Sequence, residues 1–199
     1  MKKLPSKIYL IDANKELISA WKESFFGWDS VEVFHGDLFS IPADAMVSPA
    51  NSFGYMDGGV DLAIRYELGD IVEKRVQEAI LRKYHGELPV GVAEIVKTDN
   101  VKWPFLVCAP TMRVPINISH TLNAYLAFRA TLLEIAKFNS GEGENINSLV
   151  CPGLGTGVGR LPPSRCAEQM KMAYFHVSHP AKIPGFKEAH DTEKKLKNT

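Results

Sequence analysis

The chain has 199 residues, a length that fits one domain with room for a terminal extension. Apolar residues are 45% and charged residues 23%, which excludes a disordered chain, and a domain of this length buries roughly 70% of its unfolded surface without a metal or disulfide. Lys+Arg 23 balances Asp+Glu 23, so bulk attraction does not drive binding to nucleic acid, which is not an expected partner.

The start is basic (Met1-Lys2-Lys3), but the apolar run after it is only Ile8-Tyr9-Leu10-Ile11. That is shorter than the roughly 7–15 apolar residues of a secretory signal, and no stretch reaches the roughly 20 of a membrane span. A cytoplasmic protein with no membrane partner is the expectation. Residues 7–12 are β-branched and aromatic and predict a strand, and residues 15–26 carry Leu17, Ile18, Trp21 and Phe25 at helical spacing. Residues 31–34 predict a second strand, stopped by Gly36-Asp37, and residues 45–47 a third, closed by Ser48-Pro49. A polar, glycine-containing stretch follows to Gly59. Helical patterns cover residues 60–68 and 71–84, parted by Gly69 and an N-capping Asp70.

Residues 92–97 and 105–109 read as strands. Residues 122–138 form the longest predicted helix, with Leu122, Tyr125, Leu126, Leu132, Leu133 and Ala136 on its inner side. A last strand covers 149–151 and a last helix 163–177. Alternating strands and helices predict an α/β protein with helices on both faces of a largely parallel sheet. Residues 1–179 are expected to form this single domain, and residues 180–199 a flexible or peripheral tail that frays.

Ligands of open α/β sheets bind beyond the carboxyl ends of the strands. Three such ends carry unusual residues here: Gly36-Asp37, the run from Ser48-Pro49-Ala50-Asn51 to Gly58-Gly59-Val60-Asp61, and the run from Pro152 to Arg160. The last has glycine at 153, 155, 157 and 159, where absent Cβ atoms let the backbone approach an anion. It matches neither the dinucleotide-binding nor the P-loop spacing, and reads as an anion-binding turn or merely a tight connection. Two glycine-bearing helix starts facing one crevice suit a diphosphate. Taken singly, Asp61 is also a stabilising first-turn aspartate, Asn51 an Asx-turn and Asp37 a turn residue. The six histidines are scattered, and Cys108, Cys151 and Cys166 form no C-x-x-C pair, so neither a metal nor a cofactor is expected. Two of these thiols fall on buried strands and one on a helix. No nucleophile elbow is present.

In this order, Gly36-Asp37-Leu38, Val47-Ser48-Pro49-Ala50-Asn51-Ser52, Gly58-Gly59-Val60-Asp61-Leu62-Ala63-Ile64 and Gly155-Thr156-Gly157-Val158-Gly159 resemble the successive motifs of macro domains. The resemblance runs from about residue 31 to about 177. The wording of 51–61 and of 109–115 is similar to a bacterial and phage-associated branch. It implies a three-layer α/β/α sandwich on a mixed, largely parallel sheet that binds ADP-ribose or an ADP-ribosylated protein. By that resemblance Asp37, with Leu38 beside it, accepts a hydrogen bond from the adenine amino group. Backbone N–H groups around Gly58, Gly59 and Val60 and around Gly155, Thr156, Gly157, Val158 and Gly159 hold the two phosphates. Asn51 and Asp61, ten positions apart, match the pair that orients the distal ribose and activates water in hydrolysing members. The substrates implied are ADP-ribosyl esters or ADP-ribose 1″-phosphate; the alternative is a non-catalytic reader of ADP-ribose or NAD-derived nucleotides. Met56-Asp57 stands where the family usually has more glycine, and Gly159 where many relatives carry an aromatic. Gly159 thus predicts an unfilled space beside the distal ribose, covered by Phe53, Tyr55 or Met56.

Overall fold

A computed structural model describes residues 3–198; the predicted basic start at Met1 and Lys2, and Thr199, lie outside them. The elements are β1 (Lys7–Asp12), α1 (Lys15–Ser24), β2 (Val31–His35), a short 3-10 turn (Leu38–Ser40), β3 (Ala45–Ser48), α2 (Gly59–Leu68) and α3 (Ile71–Tyr84). They continue with β4 (Glu94–Lys97), β5 (Phe105–Cys108), α4 (Asn123–Phe138), β6 (Ser148–Cys151), α5 (Pro163–Ser178) and α6 (Phe186–Asn198). The sheet order is β2-β1-β6-β3-β5-β4, with every pairing parallel except the edge pair β4–β5.

Strand side chains alternate between two cores, as a period of two demands. Ile8, Leu10, Val47, Val107 and Leu149 point to one face, where α1, α4 and α5 contribute Trp21, Phe128 and Met170. Ile11, Met46, Leu106 and Val150 point to the other, where α2 and α3 contribute Ile64, Val72 and Ile80. Burial on both faces explains why these strands read as near-continuous apolar runs. The result is the α/β/α sandwich. Five parallel strands thereby end along one rim, and their carboxyl ends present the loops of the site.

Local chemistry sets the helix starts. Asn14 Oδ1 accepts from the N–H groups of Glu16 (2.9 Å) and Leu17 (3.3 Å), capping α1. Asp70, in contrast, is not a side-chain cap of α3; its carboxylate lies 3.4 Å from Arg65 Nε. The inner face of α4 also departs from the sequence reading. Leu122, Tyr125, Leu126 and Leu133 are only half-buried, while Ala124, Ala127, Phe128, Thr131 and Ile135 are buried with Leu132 and Ala136. The helix packs on both the sheet and α5, and its small residues are what permit that close approach.

Where the sequence suggested a flexible or peripheral tail, residues 186–198 form helix α6. Leu196 is buried, Gln169 Nε2 donates to the Leu196 carbonyl (3.1 Å), and Lys195 Nζ reaches Glu168 Oε1 at 2.8 Å. A charged sequence hid this docking because it rests on one apolar side chain. Among the described residues no helix is long and apolar enough to cross a membrane.

Candidate functional site

The carboxyl ends of β2, β1, β6 and β3 surround a cleft of about 710 Å³, within the size range of small-molecule sites. Of the residues singled out in the sequence, Asp37, Leu38, Asn51, Gly58, Gly59, Val60, Asp61, Gly155, Thr156, Gly157, Val158 and Gly159 all line it.

At one end, Asp37 follows β2. Its Oδ1 accepts from Phe39 N (3.0 Å) and starts the 3-10 turn, while Leu38 is buried below it. The turn therefore fixes the carboxylate and leaves Oδ2 for a ligand.

On one wall, α2 opens at the cleft with Gly58 as its N-cap and Gly59 at φ +56°. Leu62 N is bonded to Gly58 O (3.3 Å), so the N–H groups of residues 59–61 precede the first intrahelical bond. They form an anion-receptive start reinforced by the helix dipole. On the facing wall, Gly153 N donates to Asp12 Oδ2 (3.1 Å), Leu161 N to Gly155 O (3.0 Å) and Arg160 N to Gly157 O (3.0 Å). Among the described residues nothing accepts from the N–H groups of residues 156–158. The helix after this loop, α5, begins at Pro163 as expected, but Pro162 and Pro163 have no N–H to offer at its start.

The other end holds Asn51 and Asp61. Asn51 Oδ1 accepts from Phe53 N (3.1 Å) and Tyr55 N (3.3 Å), and Nδ2 donates to Tyr55 O (2.7 Å). The Asx-turn is thus real, and of the side chain's capacity one amide hydrogen stays free for a ligand. Asp61 stands in the first turn of α2, where buried Ser48 Oγ donates to its Oδ1 at 2.6 Å. Burial pushes its carboxyl up to about 6, against the Ser48 hydrogen bond that favours the ionised form; the Asp57 charge adds to the rise.

The space beside Gly159 is not unfilled. A Cβ there would lie 2.5 Å from the Gly155 carbonyl and 2.7 Å from Ile118 Cγ1, so the backbone and Ile118 already occupy it. Of the three side chains proposed to cover the distal ribose, only Tyr55 lines the cleft. Met56 is 1% exposed in the core under α2 and α3, and Phe53 lies beneath Arg113, whose guanidinium is 5.1 Å from its ring centre.

Residues that the sequence reading did not place in the site also line the cleft: Asp12 at the end of β1 with Ala13 and Asn14 after it, and Thr111, Met112 and Pro115 after β5. The strand-end rule would have found the first group, since β1 is an inner parallel strand. Four aspartates line the cleft, Asp12, Asp37, Asp57 and Asp61, and no lysine, arginine or histidine among the described residues does. The cysteines are elsewhere; all three are buried, and burial pushes the thiols up, Cys166 to about 12. Among the described residues no group of His, Cys, Asp and Glu could hold a metal ion.

Comparisons with known proteins bear on the family and the fold. A family model described as Macro domain matches residues 47–170. The chain is 33% identical over 140 residues to an uncharacterized protein of Aquifex aeolicus, covering 70% of this chain and 78% of that one. It is 28% identical over 138 residues to a macro domain-containing protein of Listeria monocytogenes, covering 69% of this chain and 74% of that one. Among solved structures, the macrodomain of Mycobacterium tuberculosis DarG superposes with a TM-score of 0.60 at 20% identity, covering 76% of this chain and 96% of that one. A mutant Oceanobacillus iheyensis macrodomain solved with ADPR superposes with a TM-score of 0.58 at 20% identity, covering 81% of this chain and 89% of that one.

Proposed function

The chain belongs to the macro domain family, and from that premise we propose that its cleft binds ADP-ribose and hydrolyses derivatives at the distal ribose, either ADP-ribosyl esters of acidic side chains or ADP-ribose 1″-phosphate. The observation that carries the reading is the pair of unpartnered N–H sets, residues 59–61 and 156–158, on facing walls of one cleft. Neutral backbone donors suit a diphosphate in a chain whose formal net charge is +0. The Oceanobacillus iheyensis mutant with ADPR supports the choice of ligand.

The remaining groups fall at suitable ends. Asp37 Oδ2 serves the adenine amino group, and Asn51 Nδ2 and Asp61 serve the distal ribose. In this reading Asp61, whose carboxyl burial pushes up to about 6, is the base that accepts a proton from water. For an ester, a water oxygen bonds to C1″ and the C1″–O bond to the modified carboxyl breaks. The carboxylate leaves with the bonding pair, and Asp61 takes the proton of the water. One observation favours the second reading, a non-catalytic reader of ADP-ribose: both lone-pair directions of Asn51 Oδ1 are engaged by its own loop.

Calorimetric titration with ADP-ribose, AMP, NAD and a short oligo(A), paired with release of ADP-ribose from an automodified protein, separates these readings. Asp37→Ala is expected to weaken ADP-ribose binding by about 1.5–3 kcal/mol, the worth of a hydrogen bond to a charged group, and ribose 5-phosphate hardly at all. Equal losses would remove Asp37 from an adenine site. Asp61→Ala is expected to abolish most turnover while keeping much of the affinity, because a base acts mainly in the transition state. Tight binding by the unmodified protein with no turnover on either substrate leaves the reader.

A further inference from the structure

The wall built from residues 153–159 has a support behind it that lies outside the cleft. Gln169, on α5, is fully buried and does not line the cleft. A buried amide must place its oxygen and its hydrogens, and Gln169 places them on backbone groups that helix ends leave open. Its Oε1 accepts from Tyr125 N (3.1 Å) in the first turn of α4, whose N-cap Leu122 makes no side-chain bond. Its Nε2 donates to Thr121 O (2.8 Å), just before that helix, and to Leu196 O (3.1 Å) in the last turn of α6. One side chain thus ties two helix ends to the turn that precedes α4.

That turn leads to the wall. Thr121 N (3.0 Å) and Oγ1 (2.8 Å) both donate to Ile118 O, and Arg165, one turn before Gln169 on α5, donates through Nη1 to Ser119 O. Ile118 N donates to Gly159 O (2.8 Å), and its side chain fills the space where Cβ atoms at Gly155 and Gly159 would stand. So α5 grips residues 118–121 from one side, and they back the glycine loop from the other. The docking of α6 on this junction is thin. Leu196 is its buried side chain among the described residues, and the lysine of the Lys195–Glu168 pair is exposed. A segment with so little buried area opens far more readily than the whole domain unfolds. When it opens, Gln169 Nε2 loses one acceptor and water reaches the amide that holds Thr121 and Tyr125.

Resting on the ADP-ribose reading, we propose that Gln169 is a positioning residue for the glycine wall, and that α6 docked on it raises the affinity of the cleft for ADP-ribose by holding the N–H groups of residues 156–158 in place. Gln169 and α6 lie outside the cleft lining, so the effect passes through Thr121 and Ile118. By linkage it runs both ways: bound ADP-ribose favours the docked α6 by the same factor.

Amide exchange on the full chain without ligand reads the wall directly. The reporters are the N–H groups of Ile118, Arg160 and Leu161, bonded to the carbonyls of Gly159, Gly157 and Gly155. The controls are those of Met56 and Leu88, which bond to Glu73 and Ser52 and hold the facing loop. Leu196→Asp puts a carboxylate where an apolar side chain is buried, and Gln169→Leu keeps the volume and removes the bonds. Each is expected to speed exchange of the reporters about fivefold, the order of one net hydrogen bond, and to leave the controls unmoved. Calorimetry is expected to show ADP-ribose bound about fivefold more weakly by both variants, by the same reasoning. Leu196→Met, which keeps the apolar contact, should behave as the unmodified protein, in which ADP-ribose slows exchange of the α6 amides. Reporters or affinity unmoved in either of the first two variants overturn the proposal, and so does α6 exchange that ADP-ribose leaves unchanged. Reporters and controls that speed up alike also overturn it, because they mark a general loss of stability. An unmodified chain that binds no ADP-ribose fails the ADP-ribose reading instead, and the ligand-free exchange still decides whether Gln169 and α6 hold the wall.

Discussion

The two loops that face each other across the cleft are held in opposite ways. The loop over residues 51–58 is held by side chains. Asn51 brackets the backbone of Tyr55, Glu73 Oε1 accepts from Met56 N (2.8 Å), Glu73 Oε2 meets Arg65 Nη1 (3.1 Å), and Met56 is sunk in the core. The loop over residues 153–159 is held by their absence. A Cβ at Gly155 would lie 2.5 Å from Ile118 Cδ1, and one at Gly159 2.5 Å from the Gly155 carbonyl, so this backbone packs where side chains would otherwise stand. Ile118 closes the arrangement, its N–H donating to Gly159 O at 2.8 Å. The contrast teaches that one wall tolerates change in what it displays and not in its anchors, whereas the other tolerates no added atom at Gly153, Gly155 and Gly159.

The largest expected effect breaks the first wall at its anchor. Met56→Ala removes a fully buried side chain and is expected to cost about 2–5 kcal/mol of stability, read as a fall in the denaturation midpoint. A loss below 1 kcal/mol would mean that the loop is held by Asn51 and Glu73 alone. Asp61 comes next, with a contribution that depends on pH. Its native carboxyl lies at about 6, above its ordinary value of 3.8, so the native state binds the proton more tightly than the unfolded chain does. Its contribution is full below about pH 4 and is lost as pH rises through about 6. Asp61→Asn should therefore flatten stability across that window and raise it at pH 7 by up to about 3 kcal/mol, at 1.36 kcal/mol per unit of displacement. Unfolding curves for both proteins from pH 4 to 7 check this. A variant less stable at pH 7 and equally pH-dependent would show that Asp61 does not carry the effect. Stability gained with turnover lost is what a site strained for catalysis gives.

The second wall breaks on a single methyl. Gly159→Ala places its Cβ against a carbonyl and Ile118, and overpacking of this kind costs about 1–3 kcal/mol. Unlike Met56→Ala, it is also expected to lower ADP-ribose affinity, because the N–H groups of residues 156–158 ride on the same turn. For stability, Gly157→Ala is the matched control, since a Cβ there meets no protein atom within 4 Å. Equal losses of stability at the two positions would dismiss the packing account of this wall.

The same contrast explains what was legible in the sequence. Alternating strands and helices disclosed the fold because both sheet faces are buried, and strand ends with glycine disclosed both walls. The place of Asp37, Asn51 and Asp61 along the cleft was legible because they follow strands or open a helix. What stayed hidden depends on partners far along the chain. Nothing near Gly159 in sequence announces Ile118, 41 positions earlier, so an absent side chain read as empty space. Met56 and Phe53 looked equivalent to Tyr55 because a polar loop has no period from which to read which residue turns inward. The inner face of α4 was misplaced because leucine outranks alanine in any hydrophobic pattern, yet alanine is what fits between the sheet and α5. The docking of α6 turns on Leu196, a lone apolar residue among lysines.

The smallest expected effect tests the displayed side of the first wall. Tyr55 lines the cleft with 56% of its surface exposed, and its backbone is fixed on both sides, by Asn51 through its own N–H and carbonyl and by Met56 one residue later. A side chain held in this way at the mouth can cover the distal ribose without first ordering the loop, so little entropy opposes the contact. If it shields on the order of 40 Å² of apolar area in the complex, the contribution is about 1 kcal/mol, or roughly fivefold in affinity. Tyr55→Ala is therefore expected to weaken ADP-ribose binding about fivefold and AMP, which lacks the distal ribose, hardly at all. Tyr55→Phe should retain most of the affinity, because the ring and not the hydroxyl provides the cover. Stability should stay within about 0.5 kcal/mol, as for an exposed position. Equal losses for ADP-ribose and AMP would place Tyr55 away from the distal ribose and leave that end of the cleft open to water.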